Sequence, residues 1–157
     1  IILGHYPLSW VGNPWLLVLA CGAALFTILI ARVVHRLRWP FLLLDALGLV
    51  VFTIIGCNVA IEMGQHPVII IVAGMLTGIV GGILRDVLCN DIPLVFSGEL
   101  YATVSALTGL LYYGGLLLDW PHDLVIVGAV AIGFALRVTA IVLKWEMPRF
   151  VYDKDLR

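Results

Sequence analysis

The sequence predicts an all-α membrane protein with about five transmembrane helices. Only 12% of its 157 residues are charged, whereas an average soluble domain carries about 25% charged residues. The mean hydropathy is +1.12, and long stretches such as 15–31 and 68–84 contain no formal charge. Because a helix needs about 20 apolar residues to cross the hydrocarbon core, each of these stretches can form a transmembrane helix.

Five apolar stretches follow one another along the chain, at about 15–35, 41–62, 67–89, 99–118 and 122–144. They are separated by Pro40, Pro67, Pro93 and Pro121. A proline does least damage where its missing N–H has no helical partner, at a helix start or in a connection. The prolines therefore predict the boundaries between the transmembrane helices.

Basic residues occur in every second connection, which predicts the orientation. They lie at or just beyond the ends of the first, third and fifth stretches, as Arg32, Arg36, Arg38, Arg85, Lys144, Arg149, Lys154 and Arg157. Connections 62–66 and 119–123 contain acids and histidines but no Lys or Arg. The positive-inside rule places the basic connections and the C-terminus in the cytoplasm. The run from Arg32 to Arg38 is interpreted as a topology anchor, with attraction of anionic membrane lipids as the alternative.

Two segments resemble each other at an offset of 86 residues. Residues 7–15 and 93–101 share proline, leucine, glycine and apolar or aromatic positions in the same order. The predicted orientation places segment 7–15 on the external side of the membrane and segment 93–101 on the cytoplasmic side. The two segments therefore predict an inverted repeat of three transmembrane helices plus a final helix. The offset also predicts that the first two helices lie upstream of Ile1. Within a single transmembrane domain, residues 1–39 then end the first repeat, 40–119 form the second, and 120–157 are the final helix and tail.

The third stretch is rich in small residues at helical spacing. At about 100° per residue, one narrow face carries Gly74, Gly78, Gly81 and Arg85, with Thr77 and Gly82 at its edges. Small residues four apart let neighbouring helices approach closely. Alternatively, the Gly81-Gly82 pair weakens the helix, and a kink exposes backbone carbonyls that can replace the water around a cation. The spacing leaves close packing and pore lining open.

Charged residues near the predicted cytoplasmic side suggest contacts between the helices. Asp45 on the second stretch and Arg85 on the third lie at similar depth, which predicts an ion pair that is a structural latch or a gate. The alternative is that Arg85 and Asp86 extend together to the membrane interface. On the second stretch, Asp45 is expected to share an inward face with Gly48, Phe52 and Gly56. Arg137 in the fifth stretch is expected to extend to the cytoplasmic headgroups, with lipid-headgroup binding or a vestibule role as the alternative.

The residue pattern does not support several other kinds of chemistry. The odd number of cysteines, Cys21, Cys57 and Cys89, argues against a disulfide framework, and their spacing to the histidines fits no metal site. No nucleophile triad or phosphate-cradling loop is apparent, so we expect neither an enzyme nor a bound cofactor. The net charge of -1 disfavours nucleic-acid binding.

Several segments resemble the prokaryotic branch of the trimeric intracellular cation (TRIC) channels, a group also described as a bacterial glycine-transporter domain family. They are Asp45-Ala46-Leu47-Gly48-Leu49, Thr77-Gly78-Ile79-Val80-Gly81-Gly82-Ile83-Leu84-Arg85-Asp86-Val87-Leu88, Pro93-Leu94-Val95 and Glu99-Leu100-Tyr101-Ala102. The resemblance covers nearly the whole chain. It implies a multi-pass protein of the prokaryotic inner membrane, a seven-helix protomer and a homotrimer. It also implies a potassium-permeable pore in each protomer, between two kinked glycine-rich helices.

The resemblance implies an ion path along the third stretch and the charged residues near it. The expected path residues are Asp45, Gly74, Thr77, Gly78, Gly81, Gly82, Arg85 and Asp86. One alternative is a small-amino-acid (glycine) carrier, in which the N-terminus of a half-helix faces the substrate carboxylate. A third interpretation is a scaffold whose glycines only pack helices. The lack of an obvious carboxylate near Gly81 for a substrate ammonium favours the channel.

Overall fold

The computed structural model of the chain describes residues 13–34, 38–88, 93, 95 and 100–143. Within these residues it contains α-helices and no strand. The helices are α1 (Trp15–Val34), α2 (Arg38–Glu62), α3 (Pro67–Leu88), α4 (Tyr101–Leu117) and α5 (His122–Val142). Each of them lies on one of the predicted apolar stretches, so the all-α architecture is confirmed.

Prolines and left-handed turn residues lie at the helix ends. Pro67 is the first residue of α3 and Pro121 immediately precedes α5, positions at which a missing N–H costs no intrahelical hydrogen bond. Pro40 lies in the first turn of α2, so this helix begins three residues earlier than predicted, at Arg38 rather than residue 41. In the turns, Gly64 has a φ of 65° and Asp119 a φ of 54°.

Several helices have the length and composition needed to cross a membrane. Within the described residues, Trp39–Glu62, Pro67–Val87 and His122–Val142 meet both criteria. Helix α4 is 17 residues long, at the short end of the range of about 17–25 residues that spans a bilayer. Large apolar side chains on these helices are exposed, including Phe52 at 51% and Leu110 at 52%. A lipid-facing surface requires such exposure.

The chain divides into two compact units, Ile1–Leu43 and Leu44–Arg157. The described part of the first unit consists of α1 and the first residues of α2. The second unit holds the rest of α2 together with α3, α4 and α5. All of the candidate site residues belong to the second unit.

Small residues let the helices of the second unit approach closely. Helices α2 and α3 meet where a Cβ added at Gly74 would lie 2.7 Å from the carbonyl oxygen of Thr53. Helix α5 meets α2 where a Cβ added at Gly133 would lie 3.1 Å from Val50, and the same Cβ would meet Thr108 of α4. Because apolar side chains gain little by leaving lipid, close backbone approach and buried hydrogen bonds contribute much of the helix association in a membrane.

The antiparallel connectivity brings alternate helix ends together in the second unit. Contacts of Arg85 with Asp45 and of Arg137 with Tyr101 join the starts of α2 and α4 to the ends of α3 and α5. This side is called the Arg85 end below. The opposite side, where His122 begins α5, is called the His122 end.

Some predictions fall on residues outside the described part of the chain. The first repeat segment, 7–15, is described only from Asn13, and much of the second, 93–101, is not described. Arg36 and Cys89 are also outside it. The inverted repeat and the division at residues 39 and 119 therefore stay predictions.

Candidate functional site

Two glycines of α3, Gly74 and Gly78, are buried against α2. A Cβ added at Gly74 would lie 2.7 Å from the carbonyl oxygen of Thr53. One added at Gly78 would lie 2.8 Å from the carbonyl oxygen of Leu49. Because these neighbours are backbone atoms, a side-chain movement could not make room for a methyl group. Both glycines therefore allow close packing of α3 on α2.

The adjacent residues Gly81 and Gly82 face different surroundings on α3. The helix continues through both of them to Leu88, so the pair does not end it. A Cβ added at Gly81 would have no neighbour from another part of the described chain within 4 Å, and this residue is exposed. A Cβ added at Gly82 would lie 2.5 Å from the hydroxyl oxygen of Tyr101. Pore lining by this pair stays a prediction.

Thr77 lies on the exposed side of α3, next to α2. Its hydroxyl donates to the carbonyl oxygen of Ala73 at 2.7 Å. A Cβ added at Gly56 of α2 would lie 2.5 Å from the same hydroxyl oxygen. Since a hydroxyl oxygen keeps acceptor capacity after donating its proton, Thr77 can still accept from water or contact a cation.

The predicted ion pair between Asp45 and Arg85 is present at the Arg85 end. Arg85 Nη1 donates to Asp45 Oδ1. The same guanidinium contacts Asp86, whose Oδ1 lies 2.8 Å from Nε and 2.6 Å from Nη2. The side chains of Asp45 and Asp86 are only 5% and 9% exposed. One arginine thus joins two buried carboxylates and links α2 to α3.

The inward face of α2 agrees only in part with the predicted one. Phe52 is 51% exposed, and a Cβ added at Gly48 would have no neighbour from elsewhere in the described chain within 4 Å. Leu49 and Thr53 are buried instead, at 2% and 0% exposure. Asp45 and Gly56 face the interior as expected, since the Asp45 side chain is 5% exposed and Gly56 is buried beside Thr77. The prediction was wrong for Gly48 and Phe52, because an apolar side chain such as Phe52 is as stable in lipid as inside the bundle. Hydrophobicity therefore does not mark the interior face.

Tyr101 is a central residue of the site that the sequence reasoning missed. Its hydroxyl donates to Asp45 Oδ1 at 3.2 Å, and its side chain is 2% exposed. It also belongs to the buried apolar cluster formed with Leu49, Ile79 and Val104. The sequence does contain a signal for this role. Tyr101 lies near the start of the fourth apolar stretch, at the same membrane depth as that expected for Asp45.

Arg137 does not extend to the headgroups, and that prediction was wrong. Its side chain is fully buried, at 0% exposure. The guanidinium carbon lies 4.6 Å from the centre of the Tyr101 ring. The negative face of an aromatic ring attracts a cation at this distance. The ring therefore gives Arg137 a favourable position inside the bundle, which the sequence alone did not show.

Further polar contacts join the helices away from the Arg85 end. Thr53 donates to the carbonyl oxygen of Leu49 at 2.7 Å and shares a 2.6 Å hydrogen bond with Ser105 of α4. At the His122 end, the hydroxyl of Tyr112 donates to Asn58 Oδ1 at 2.5 Å and lies 3.2 Å from His122 Nε2. Sequence reasoning also missed these residues. Together with the Arg85 end, they place polar groups at three depths in the interior of the second unit.

The chemistry available at the Arg85 end is electrostatic. Two carboxylates, Asp45 and Asp86, lie at the same end as two guanidinium groups, Arg85 and Arg137, so the formal charges balance. Within the described residues, no group of three or more His, Cys, Asp or Glu side chains could hold a metal ion. A balanced cluster of this kind can hold helices together, and rearranging its pairs would expose a carboxylate to a passing cation.

Similarity to known proteins extends over nearly the whole chain. Residues 42–116 match the family model described as Glycine transporter. The UPF0126 inner membrane protein YadS of Escherichia coli K12 is 34% identical over 160 residues, which is 99% of this chain and 76% of that protein.

Solved structures of cation channels are similar as well. A TRIC cation channel, solved to explain the structural basis of conductance, superimposes with a TM-score of 0.85 at 30% identity, covering 97% of this chain and 75% of that one. The TRIC trimeric intracellular cation channel orthologue from Rhodobacter sphaeroides superimposes with a TM-score of 0.82 at 31% identity, covering 92% and 74%.

Proposed function

The chain belongs to the TRIC/UPF0126 family of membrane proteins, and from this premise we propose that it is a channel for monovalent cations, chiefly potassium. The observation that carries the proposal is the likeness in fold and sequence to solved TRIC cation channels over nearly the whole chain. The family and its solved members are channels or transporters, so the protein is not an enzyme.

The proposed pore lies inside each protomer and passes along α3. The open space beside Gly81 and the exposed hydroxyl of Thr77 support a role in lining it. The buried contacts of Gly74 and Gly78 support a role in holding α3 on α2, which fixes the position of the pore wall. Gly82 contacts Tyr101 and belongs to the mouth of the path.

The charged residues of the Arg85 end are proposed to control access to this path. Asp45 and Asp86 supply the negative charge that attracts a cation, while Arg85 neutralises both of them in the arrangement described. A change of partners by Arg85 would free a carboxylate for the ion. The neutralised cluster then corresponds to a closed mouth, and Arg137 contributes to it through Tyr101.

We further propose a homotrimer in the prokaryotic inner membrane. The similar channel from Rhodobacter sphaeroides is trimeric by name, and YadS is an inner membrane protein. The basic connection from Arg32 to Arg38 and the C-terminus would face the cytoplasm, as the positive-inside rule predicts. Anionic lipids would then be the natural neighbours of this basic run.

Glycine transport is the second candidate, because the matching family model carries that description. A carrier would bind the substrate in the membrane and change conformation once for each molecule moved. Its signature is a saturable flux without step-like currents.

One experiment separates these functions. The full-length protein is recorded in a planar bilayer with asymmetric KCl, and the same preparation is tested for glycine uptake in vesicles. We expect step-like currents that reverse near the potassium equilibrium potential and no glycine uptake. Saturable glycine uptake without unitary currents would reverse this conclusion. Empty vesicles and a protein-free bilayer are the controls.

A further inference from the structure

At the Arg85 end, Tyr101 contacts the three other helices of the second unit from its position as the first residue of α4. Its hydroxyl lies 3.2 Å from Asp45 Oδ1 in α2, and its ring faces the guanidinium of Arg137 in α5. The same hydroxyl occupies the space next to Gly82 in α3. The side chain is 2% exposed, so its polar and aromatic surfaces are both used within the bundle.

Gly82 leaves the space that the Tyr101 hydroxyl needs. A Cβ at this position would lie 2.5 Å from the hydroxyl oxygen and 3.2 Å from Cζ of the ring, well inside the contact distance of about 3.5 Å. A methyl group here would compete for the position from which the hydroxyl donates to Asp45 Oδ1 at 3.2 Å. At the neighbouring Gly81, a Cβ would meet no other part of the described chain within 4 Å. Of these two adjacent glycines, only Gly82 occupies a position where a side chain would meet another helix of the described chain.

The hydroxyl also supports the ion pair that joins α2 and α3. Asp45 Oδ1 accepts from Arg85 and from Tyr101. A carboxylate away from water is stable only while such partners remain in place. Loss of the hydroxyl removes one of these donors and at the same time opens a space beside Gly82. Both changes loosen the last turns of α3.

We propose that Tyr101 is the positioning residue of the Arg85 end. Its hydroxyl, placed beside Gly82, holds the last two turns of α3 and the Asp45–Arg85 pair in one arrangement, while Arg137 fixes the ring. The effect on conduction rests on the proposed channel function, whereas the positioning role does not. In a channel, Tyr101 would set the fraction of time that the mouth is open and leave the rate of ion passage through the open pore unchanged.

The contact is tested by thermal melting of the full-length protein carrying Tyr101→Phe, Gly82→Ala or both substitutions. Gly82→Ala alone is expected to lower the melting temperature by about 4 °C or more, because its methyl group meets the hydroxyl. The double variant should recover part of this loss, since the methyl group then fills the space that the hydroxyl has left. Strictly additive losses would overturn the proposal.

Matched controls come from other positions on the same helices. Gly81→Ala adds the same methyl group one residue away, where the described chain leaves open space. Tyr113→Phe removes a hydroxyl from a half-buried tyrosine of α4. Each control is expected to shift the melting temperature by less than about 2 °C.

Two further measurements distinguish positioning from general stability. In Tyr101→Phe, hydrogen exchange in peptides covering 79–88 should rise about threefold or more, while peptides of α1 stay unchanged. In asymmetric KCl, the open probability should change by about threefold or more at constant unitary conductance. Unchanged hydrogen exchange at 79–88 would overturn the positioning role even in a conducting protein.

A wild-type protein without currents would instead overturn the channel function. Thermal melting and hydrogen exchange would still decide the role of Tyr101.

Discussion

Buried charge is the most costly feature of this molecule at the scale of single residues. Asp45 and Asp86 are almost completely buried, and Arg137 is entirely so. Each would be unstable alone in a membrane interior, since even a translocon scale assigns a central Arg or Asp about 2.5–3.5 kcal/mol. Together with Arg85 they form a set whose formal charges cancel. Removal of one charged side chain therefore destabilises the protein twice, through its own lost contacts and through the buried charge that it leaves uncompensated.

The first prediction concerns the coupling of Asp45 and Arg85. Asp45→Asn and Arg85→Gln should each destabilise the protein, because each leaves a buried charge with one partner fewer. The double variant should lose less than the sum, with a coupling energy of about 0.5–3 kcal/mol. Unfolding of the four proteins in detergent measures this cycle. The coupling energy should be smaller than the full cost of Arg85→Gln, because Arg85 also pairs with Asp86.

The control for this cycle is Asp123→Asn combined with Arg85→Gln. Asp123 is exposed in the first turn of α5, at the other end of the second unit. Additivity is expected there, because the two residues lie at opposite ends of the second unit. Equal coupling in both cycles would mean that the Asp45–Arg85 contact is not responsible.

At the scale of the helix, α3 has two sides with different requirements. Its packed side carries Gly74, Gly78 and Gly82, spaced by four residues, and a Cβ added at each of them would lie within 2.8 Å of an atom of α2 or α4. Its open side carries Gly81 and Thr77. A single helix can therefore pack tightly against its neighbours on one side and leave its other side available for the proposed ion path. Close packing thus applies to Gly74, Gly78 and Gly82, while pore lining stays a prediction for Gly81 and Thr77.

The second prediction follows from the backbone contact of Gly78. Gly78→Ala should destabilise the protein by about 2 kcal/mol or more, because the methyl group would meet the Leu49 carbonyl and the Thr53 hydroxyl. Gly48→Ala is the matched control, and it should be neutral or stabilising by up to about 1 kcal/mol, as alanine is the better helix former. Detergent unfolding measures both. A stable Gly78→Ala protein with altered conductance would show instead that this glycine lines the pore.

The whole molecule is organised by the alternation of charge from one connection to the next. Arg85 and the basic residues after the first and fifth stretches lie on one predicted side, while Asp119, Asp123 and Glu62 lie on the other. In the second unit, the helix ends that should share a side are indeed in contact, through Arg85 with Asp45 and Arg137 with Tyr101. This agreement shows which helix ends of the second unit lie together. Which side of the membrane they face stays a prediction.

The third prediction is that the Arg32 to Arg38 connection is cytoplasmic and the Asp119 to Asp123 connection is external. In a background without native cysteines, a membrane-impermeant thiol reagent added to intact cells should label His122→Cys and spare Arg36→Cys. Permeabilised cells provide the control, because both positions should then react. Labelling of position 36 alone in intact cells would discard the topology and the inverted repeat that depends on it.

The sequence by itself determined where the helices lie and which ends share a side. Hydropathy, proline positions and basic residues act locally along the chain, so the predicted stretches match the helices within a few residues, with α2 starting three residues early. Equal depth then sufficed to pair Asp45 with Arg85. These properties follow from how far each residue lies along a helix of known rise.

Only the tertiary structure decided which side of each helix faces its neighbours. Gly81 and Gly82 differ by about 100° on the helix, and this rotation separates open space from contact with Tyr101. The same rotation exposes Phe52 and buries Arg137 beneath an aromatic ring. In water, hydrophobicity would have marked the inner face, but lipid accepts apolar side chains as readily as the protein interior does. Rotation is therefore set by the shapes and polar groups of the neighbouring helices, which the chain brings together only on folding.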